Sequence, residues 1–223
     1  MLKAVLFDLD GTLLDRDRSL VSFLEQQYER VPGFRSVGKK AFIHRFIELD
    51  QKGYVWKDRV YQALIEEWKL SLDWQELLDD YVSSFKYHCI GFPGLLGMLE
   101  ELKLQGLKLG IITNGFGVFQ MNNIRGLGIE GYFDAILVSE IEGLRKPDVR
   151  IFELALRRLG VEPGEAVFVG DHPVNDVEAS MRAGMRGVWK EDEALGRPGG
   201  DAWTIRELPE LLGLIGDRKQ WIS

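Results

Sequence analysis

The sequence predicts an α/β protein with a parallel sheet and an all-helical insertion. Three observations carry that prediction. Three apolar runs of strand length each stop on polar residues: Ala4-Val5-Leu6-Phe7 before Asp8-Leu9-Asp10-Gly11-Thr12, Leu109-Gly110-Ile111-Ile112 before Thr113-Asn114-Gly115, and Ala166-Val167-Phe168-Val169-Gly170 before Asp171. Short apolar runs bounded by turn residues read as buried parallel strands. From Pro93 onward, strand and helix patterns alternate, which is the pattern of right-handed βαβ units. Between about Asp15 and Cys89, by contrast, the periodicity is helical throughout.

Taken in order, the first strand leads into four expected helices. Ser19–Val31 carries Leu20, Val21, Phe23, Leu24 and Tyr28 at roughly helical spacing and is broken by Pro32-Gly33. Helices follow over about Val37–Gln51, Lys57–Leu70 and Leu72–His88, the last with Trp74, Leu77, Leu78, Tyr81, Val82 and Phe85 as its apolar stripe. Such stripes pack a bundle core. The alternating part reads as helix Gly94–Gln105, strand Leu107–Thr113, helix Phe116–Leu127, strand Tyr132–Ser139, helix Arg150–Leu159, strand Ala166–Gly170, helix Val174–Ala183 and strand Gly187–Trp189. Gly106, Gly128, Gly160 and Gly184 stop the four helices. A Gly- and Pro-rich loop over Leu195–Gly200 precedes an expected terminal helix over Ala202–Leu212. The expected division is a Rossmann-like α/β core formed by residues 1–14 and 91–223, with a helical bundle domain over 15–90. An insertion after the first strand leaves from the carboxyl edge of the sheet, so it is expected to act as a lid.

The 223 residues suffice for a sizeable core, and the composition is ordinary for a globular chain, with 45% hydrophobic and 28% charged residues. The formal charge of −7 argues against nucleic acid or an anionic membrane as the main partner. Cys89 is the only cysteine, which excludes an intrachain disulfide and fits a reduced, cytoplasmic setting. Met1-Leu2-Lys3 runs straight into a strand, with no signal-peptide pattern and no run of transmembrane length.

In open α/β sheets, ligands bind beyond the carboxyl ends of the strands, so the three polar termini converge on one crevice. Asp8 and Asp10 lie two apart on an extended segment and start on one face. That pair suits a nucleophile beside a general acid/base, or a capped turn. A carboxylate becomes a useful nucleophile when held in line with a phosphorus whose charge is neutralised. Asp171 and Asp176 add hard-oxygen ligands suited to Mg²⁺, although Asp176 also reads as an acid favoured in a first helical turn. Thr113 and Asn114 precede a helix and can bind phosphate oxygens or cap it. Lys146, before Pro147, offers a point charge to a phosphoryl group or is a solvated loop lysine. His44, His88 and His172 are too scattered to suggest a metal triad, and His172 reads as a turn residue.

The ordered set Asp-x-Asp-Gly-Thr, Thr-Asn, Lys-Pro and Gly-Asp-x-x-x-x-Asp resembles the haloacid dehalogenase superfamily of phosphohydrolases, over nearly the whole chain. Relatives with a helical cap inserted at this position include phosphoglycolate phosphatases, phosphomutases and small nucleotidases. The resemblance implies a Mg²⁺-dependent phosphatase acting on a small phosphorylated metabolite. It implies Asp8 as nucleophile and metal ligand, and Asp10 as acid/base with its carbonyl on the metal. Thr113, Asn114 and Lys146 would bind the phosphoryl group, Asp171 the metal, and Asp176 would orient Lys146 or a metal water. In related capped enzymes, a loop near Gly53-Tyr54-Val55-Trp56-Lys57 often faces the active site, so Tyr54, Trp56 and Lys57 become candidate leaving-group contacts. A solvated interhelical turn is the alternative.

Three rival readings stand beside this one. A haloacid dehalogenase needs neither Mg²⁺ nor an acid for its leaving group, and Asp10 would be superfluous. A phosphomutase needs cap residues that retain its intermediate, and none is identifiable. A non-catalytic binding module would not require Asp8, Asp10, Lys146 and Asp171 together. The physiological substrate and the oligomeric state stay open.

Overall fold

The computed structural model describes residues 1–216. Six strands form one parallel sheet: β1 (Ala4–Phe7), β2 (Lys108–Thr113), β3 (Ala135–Val138), β4 (Ala166–Gly170), β5 (Arg186–Lys190) and β6 (Trp203–Ile205). Their order is β3-β2-β1-β4-β5-β6. Every residue of β1 and β4 is buried, as a strand covered on both faces requires. Phe7 pairs with Ile111 on one side and Val169 on the other, so the first three polar termini leave the sheet at one level. The order reverses at β1, between β2 and β4. This is the switch point where a crevice opens.

The chain divides into two compact units, Arg16–Ile90 and the remainder, with Met1–Asp15 joined to the chain from Gly91 onward. The first unit contains α1 (Arg16–Arg30), α2 (Lys39–Asp50), α3 (Lys57–Trp68) and α4 (Trp74–Ser84). Its core is aromatic. Phe23 stands edge-on to Tyr81 at 5.1 Å, and Phe46 to Tyr61 at 5.3 Å. Buried polar groups are paired there: Tyr61 donates to Gln27 at 2.7 Å, and Gln27 donates to Asp80 at 3.0 Å. Asp73 caps α4 by accepting from Gln75 N at 2.7 Å.

The sheet unit adds α5 (Leu95–Leu104), α6 (Gly117–Gly126), α7 (Ser139–Glu142), α8 (Val149–Leu159), α9 (Ala179–Arg182) and α10 (Glu210–Gly216). Ile151, Phe152, Ala155, Leu156 and Leu159 form the buried stripe of α8. Phe152 meets Phe168 of β4 edge-on at 5.0 Å. Asp148 caps this helix through Arg150 N at 3.0 Å, and Gly160 closes it in the left-handed conformation at φ 64°.

Three expected elements differ. The terminal helix expected over Ala202–Leu212 is instead strand β6 followed by α10. Trp203, Thr204 and Ile205 are strand formers that extend the edge of β5, and Pro209 cannot donate inside a helix. The helix expected over Val174–Ala183 begins as a wide π-type turn, Pro173–Glu178, and only Ala179–Arg182 is α-helical. The last helix of the insertion ends at Ser84 and tightens into a 3₁₀ turn over Phe85–His88.

Candidate active site

The site is built on backbone that only glycine permits. Asp8 follows β1, and its N–H continues the ladder to Val169 O at 2.9 Å. Gly11 then turns at φ 85°, and a Cβ there would collide with the Asp171 carboxylate, its Cγ only 2.8 Å away. At the end of β4, a Cβ on Gly170 would overlap the Cβ of Asp176. The two glycines therefore allow Asp171 and Asp176 to approach the β1 terminus. Oxygens of Asp8, Asp171 and Asp176 lie within 4.8 Å of one another.

Lys146 is the cation at the centre. Its Nζ lies 2.6 Å from Asp8 Oδ1 and 2.6 Å from Asp176 Oδ1, and it is 3% exposed. Its loop is fixed by Asn114, whose side-chain amide donates to Lys146 O at 3.0 Å and accepts from Lys146 N at 3.0 Å. The Lys146–Pro147 peptide is cis. Asp176 is held from both sides, since its other oxygen accepts from His172 N at 3.0 Å. His172 is a turn residue, its Nδ1 accepting from Val174 N and Asn175 N. Thr113 does not cap α6, whose first residues are preceded by Phe116 with no capping side chain. Its Oγ1 instead accepts from Gln120 Nε2 at 2.7 Å.

The electrostatics are acidic in excess. Burial is the largest influence on Asp8 and raises its pKa to about 7; Lys146 opposes the rise, while Asp176 and Asp10 reinforce it. Burial, then the charges of Asp8 and Asp176, push Asp171 well above the usual carboxylate range. Burial works against the Lys146 ammonium, but Asp176 and Asp8 outweigh it and hold the lysine above its ordinary value. Three clustered carboxyl groups beside one lysine crowd hard oxygens that cannot all ionise without a further positive charge, the donor chemistry that suits a small divalent cation such as Mg²⁺. The donor set therefore fits the metal.

The structure brings together Asp8, Lys146, Asp171 and Asp176 directly, with Thr113 and Asn114 joined through Gln120 and Lys146. Tyr54, Trp56 and Lys57 lie in the helical unit. Tyr54 is exposed and Trp56 half-buried, but Lys57 is buried, with Nζ 2.6 Å from Asp50 Oδ1. Asp50 also accepts from Arg16 at 2.6 Å and from Gly53 N at 2.9 Å. Lys57 is thus paired within its own unit, and the sequence offered no warning, because a lysine opening a helix and an acid seven residues earlier look solvated.

Two residues escaped the sequence reading. Gln120, 2% exposed, donates to Asp10 Oδ2 at 2.6 Å. Lys190, at the end of β5, donates to Gly11 O at 3.0 Å and stands 3.4 Å from the ring centroid of Phe92; burial lowers its pKa. The available signal for Gln120 was its place, with Asn123, on the buried stripe Phe119-Gln120-Asn123-Ile124 of α6.

The family model for haloacid dehalogenase-like hydrolases matches residues 5–190. This chain is a haloacid dehalogenase-like hydrolase. A glyceraldehyde 3-phosphate phosphatase of Methanothermobacter thermautotrophicus is 30% identical over 216 residues, covering 86% of this chain and 87% of that protein. Among solved structures, a HAD phosphatase from Thermococcus onnurineus is 32% identical with a TM-score of 0.66, covering 96% of this chain and 98% of that one. A 2-haloacid dehalogenase from Pseudomonas syringae is 29% identical with a TM-score of 0.64, covering 97% and 99%. The haloacid dehalogenase-like fold thus houses both phosphatase and dehalogenase relatives. Among the described residues, no helix is long and apolar enough to cross a membrane.

Proposed function

We propose that this hydrolase is a Mg²⁺-dependent phosphatase of small phosphorylated metabolites that works through a phosphoryl group carried on Asp8. The observation that carries the reading is the Asp8–Lys146–Asp176 chain, with two 2.6 Å ion pairs at the end of the central strand and Asp171 beside it. Lys146 holds Asp8 in place and offers a charge for the phosphoryl oxygens. Asp8 and Asp171, with the main-chain oxygen of Asp10, would hold Mg²⁺, which supplies charge neutralisation for the phosphoryl group when bound.

In the first half-reaction a carboxylate oxygen of Asp8 bonds to phosphorus as the ester P–O bond breaks. Asp10 gives its proton to the departing oxygen, and Thr113 donates its hydroxyl proton to a phosphoryl oxygen. In the second half-reaction Asp10, now ionised, takes a proton from water as that water attacks phosphorus. The P–O bond to Asp8 breaks and phosphate leaves. The acidic Asp10 weighs against the dehalogenase reading, because a halide departs from carbon without a proton.

The test is phosphate release from aryl and metabolite phosphates with Mg²⁺ and with excess chelator. Asp8→Asn should fall at least about 10³-fold, because an amide is not a competent nucleophile. A freshly purified, mass-verified variant within about tenfold of wild type would overturn the assignment. Halide release from a chloroacid in chelator would establish the dehalogenase instead. Leaving-group choice is assigned to the helical unit, through exposed Tyr54 and the neighbouring Trp56.

A further inference from the structure

We propose that Gln120 is a positioning residue that aims the acid/base Asp10 and the phosphoryl-binding hydroxyl of Thr113 together. The proposal rests on the roles given above to Asp10 and Thr113. Gln120 sits on α6, 2% exposed, and its Nε2 lies 2.6 Å from Asp10 Oδ2, 2.7 Å from Thr113 Oγ1 and 3.2 Å from Asn114 O.

The orientation of the amide is set by its neighbours. A main-chain carbonyl only accepts, so the group facing Asn114 O must be the NH₂ end. Asn123, itself fully buried, meets the other end and donates from Nδ2 to Gln120 Oε1 at 3.2 Å. The NH₂ group has two protons, and the two shorter contacts receive them. Asp10 is therefore held by one carboxylate oxygen, leaving the second to exchange its proton with a leaving group or water. Thr113 accepts through a lone pair, so its single hydroxyl proton stays available for a phosphoryl oxygen. One buried amide, 110 residues from Asp10 in sequence, thus sets two groups that must act at the same instant.

A residue that merely props up α6 would affect all substrates alike. One that acts through Asp10 must matter most where the leaving group needs a proton. The experiment compares kcat/KM on p-nitrophenyl phosphate, whose phenolate leaves unaided, with phenyl phosphate, whose phenolate is far more basic. It uses the full chain with Mg²⁺, in wild type, Gln120→Met, Asp10→Asn and the double variant. Gln120→Met should lose at least about tenfold more on phenyl phosphate than on p-nitrophenyl phosphate. In the Asp10→Asn background the leaving-group dependence of the Gln120→Met loss should vanish, because the acid it aims is gone, and the loss that remains through Thr113 should be the same within about twofold on both substrates.

Equal losses on both substrates when Asp10 is intact, or a leaving-group dependence of the Gln120→Met loss that persists in the Asp10→Asn background, would overturn the proposal while leaving the phosphatase reading intact. An Asp10→Asn variant with no leaving-group dependence would overturn the acid/base role itself, and this proposal with it. Should Gln120→Met fail to fold, Gln120→Glu keeps the size and turns an acceptor toward Asp10, and the same two comparisons decide.

Discussion

Asp8 is at once the proposed nucleophile, a proposed metal ligand and a partner of Lys146, and its titration should expose the conflict among those roles. Burial first, with Asp176 and Asp10 behind it and Lys146 opposing, raises its pKa to about 7. The acid is therefore protonated below that value and ionised above it. The metal-free folded chain binds more protons than the unfolded chain between roughly pH 4 and 7, so its stability falls as pH rises through that window. Mg²⁺ requires the ionised form, so its affinity should rise with pH through about 7. Thermal melts in chelator and in saturating Mg²⁺ check both statements. Relative to Asp8→Asn, wild type should lose Tm between about pH 4 and 7 without metal and recover it with metal. Parallel Tm curves for the two proteins would remove Asp8 as the titrating group.

At the level of elements, the sequence read well wherever a residue's task was local. The apolar runs of β1 and β4 and the stripe of α8 are short-range patterns, and all three lie where periodicity puts them. Trp203-Thr204-Ile205 was harder, because a three-residue edge strand carries too few alternations to outweigh the helical spacing of Leu208, Leu211 and Leu212 just beyond it. The site divides the same way. The polar residues at strand ends were visible, whereas the fate of Lys57 depends on Asp50 across a kinked turn, and that of Gln120 on a strand terminus far away in sequence. Two substitutions separate packing from positioning on these elements. Phe152→Ala removes a fully buried ring against Phe168 and should cost about 3–5 kcal/mol by urea denaturation, with near-normal kcat per folded molecule. Gly170→Ala adds only a methyl group, yet it must displace Asp176 and with it one anchor of Lys146. It should cut kcat/KM by at least about a hundredfold with far less of the stability lost than in Phe152→Ala. A Gly170→Ala variant with near-normal kcat/KM would mean that the site tolerates movement of Asp176.

For the molecule as a whole, the insertion of 75 residues, Arg16–Ile90, interrupts the sheet unit at a point where that unit ties its own ends together. Leu14 bridges to Gly91, Phe92 N donates to Leu13 O at 3.0 Å, and Gly11 N donates to Leu14 O at 2.9 Å. The two cut ends are thus neighbours held by main-chain hydrogen bonds that belong to the sheet unit alone. Closing them with a short Gly/Ser linker replaces a long loop by a short one, and loop closure entropy then favours the shorter chain slightly. The groups that would carry phosphoryl transfer, Asp8, Asp10, Thr113, Lys146 and Asp171, all lie outside the deleted segment. A chain with residues 16–90 replaced by such a linker should unfold cooperatively and bind Mg²⁺. It should keep a measurable Mg²⁺-dependent activity on acetyl phosphate, with Asp8→Asn as its blank. Selectivity should collapse, because Tyr54 and Trp56 leave with the insertion. The ratio of kcat/KM for the best metabolite phosphate over that for acetyl phosphate should drop at least about tenfold. An unchanged ratio would locate specificity in the sheet unit, and a chain that no longer unfolds cooperatively would show that the helical unit completes the core rather than serving it.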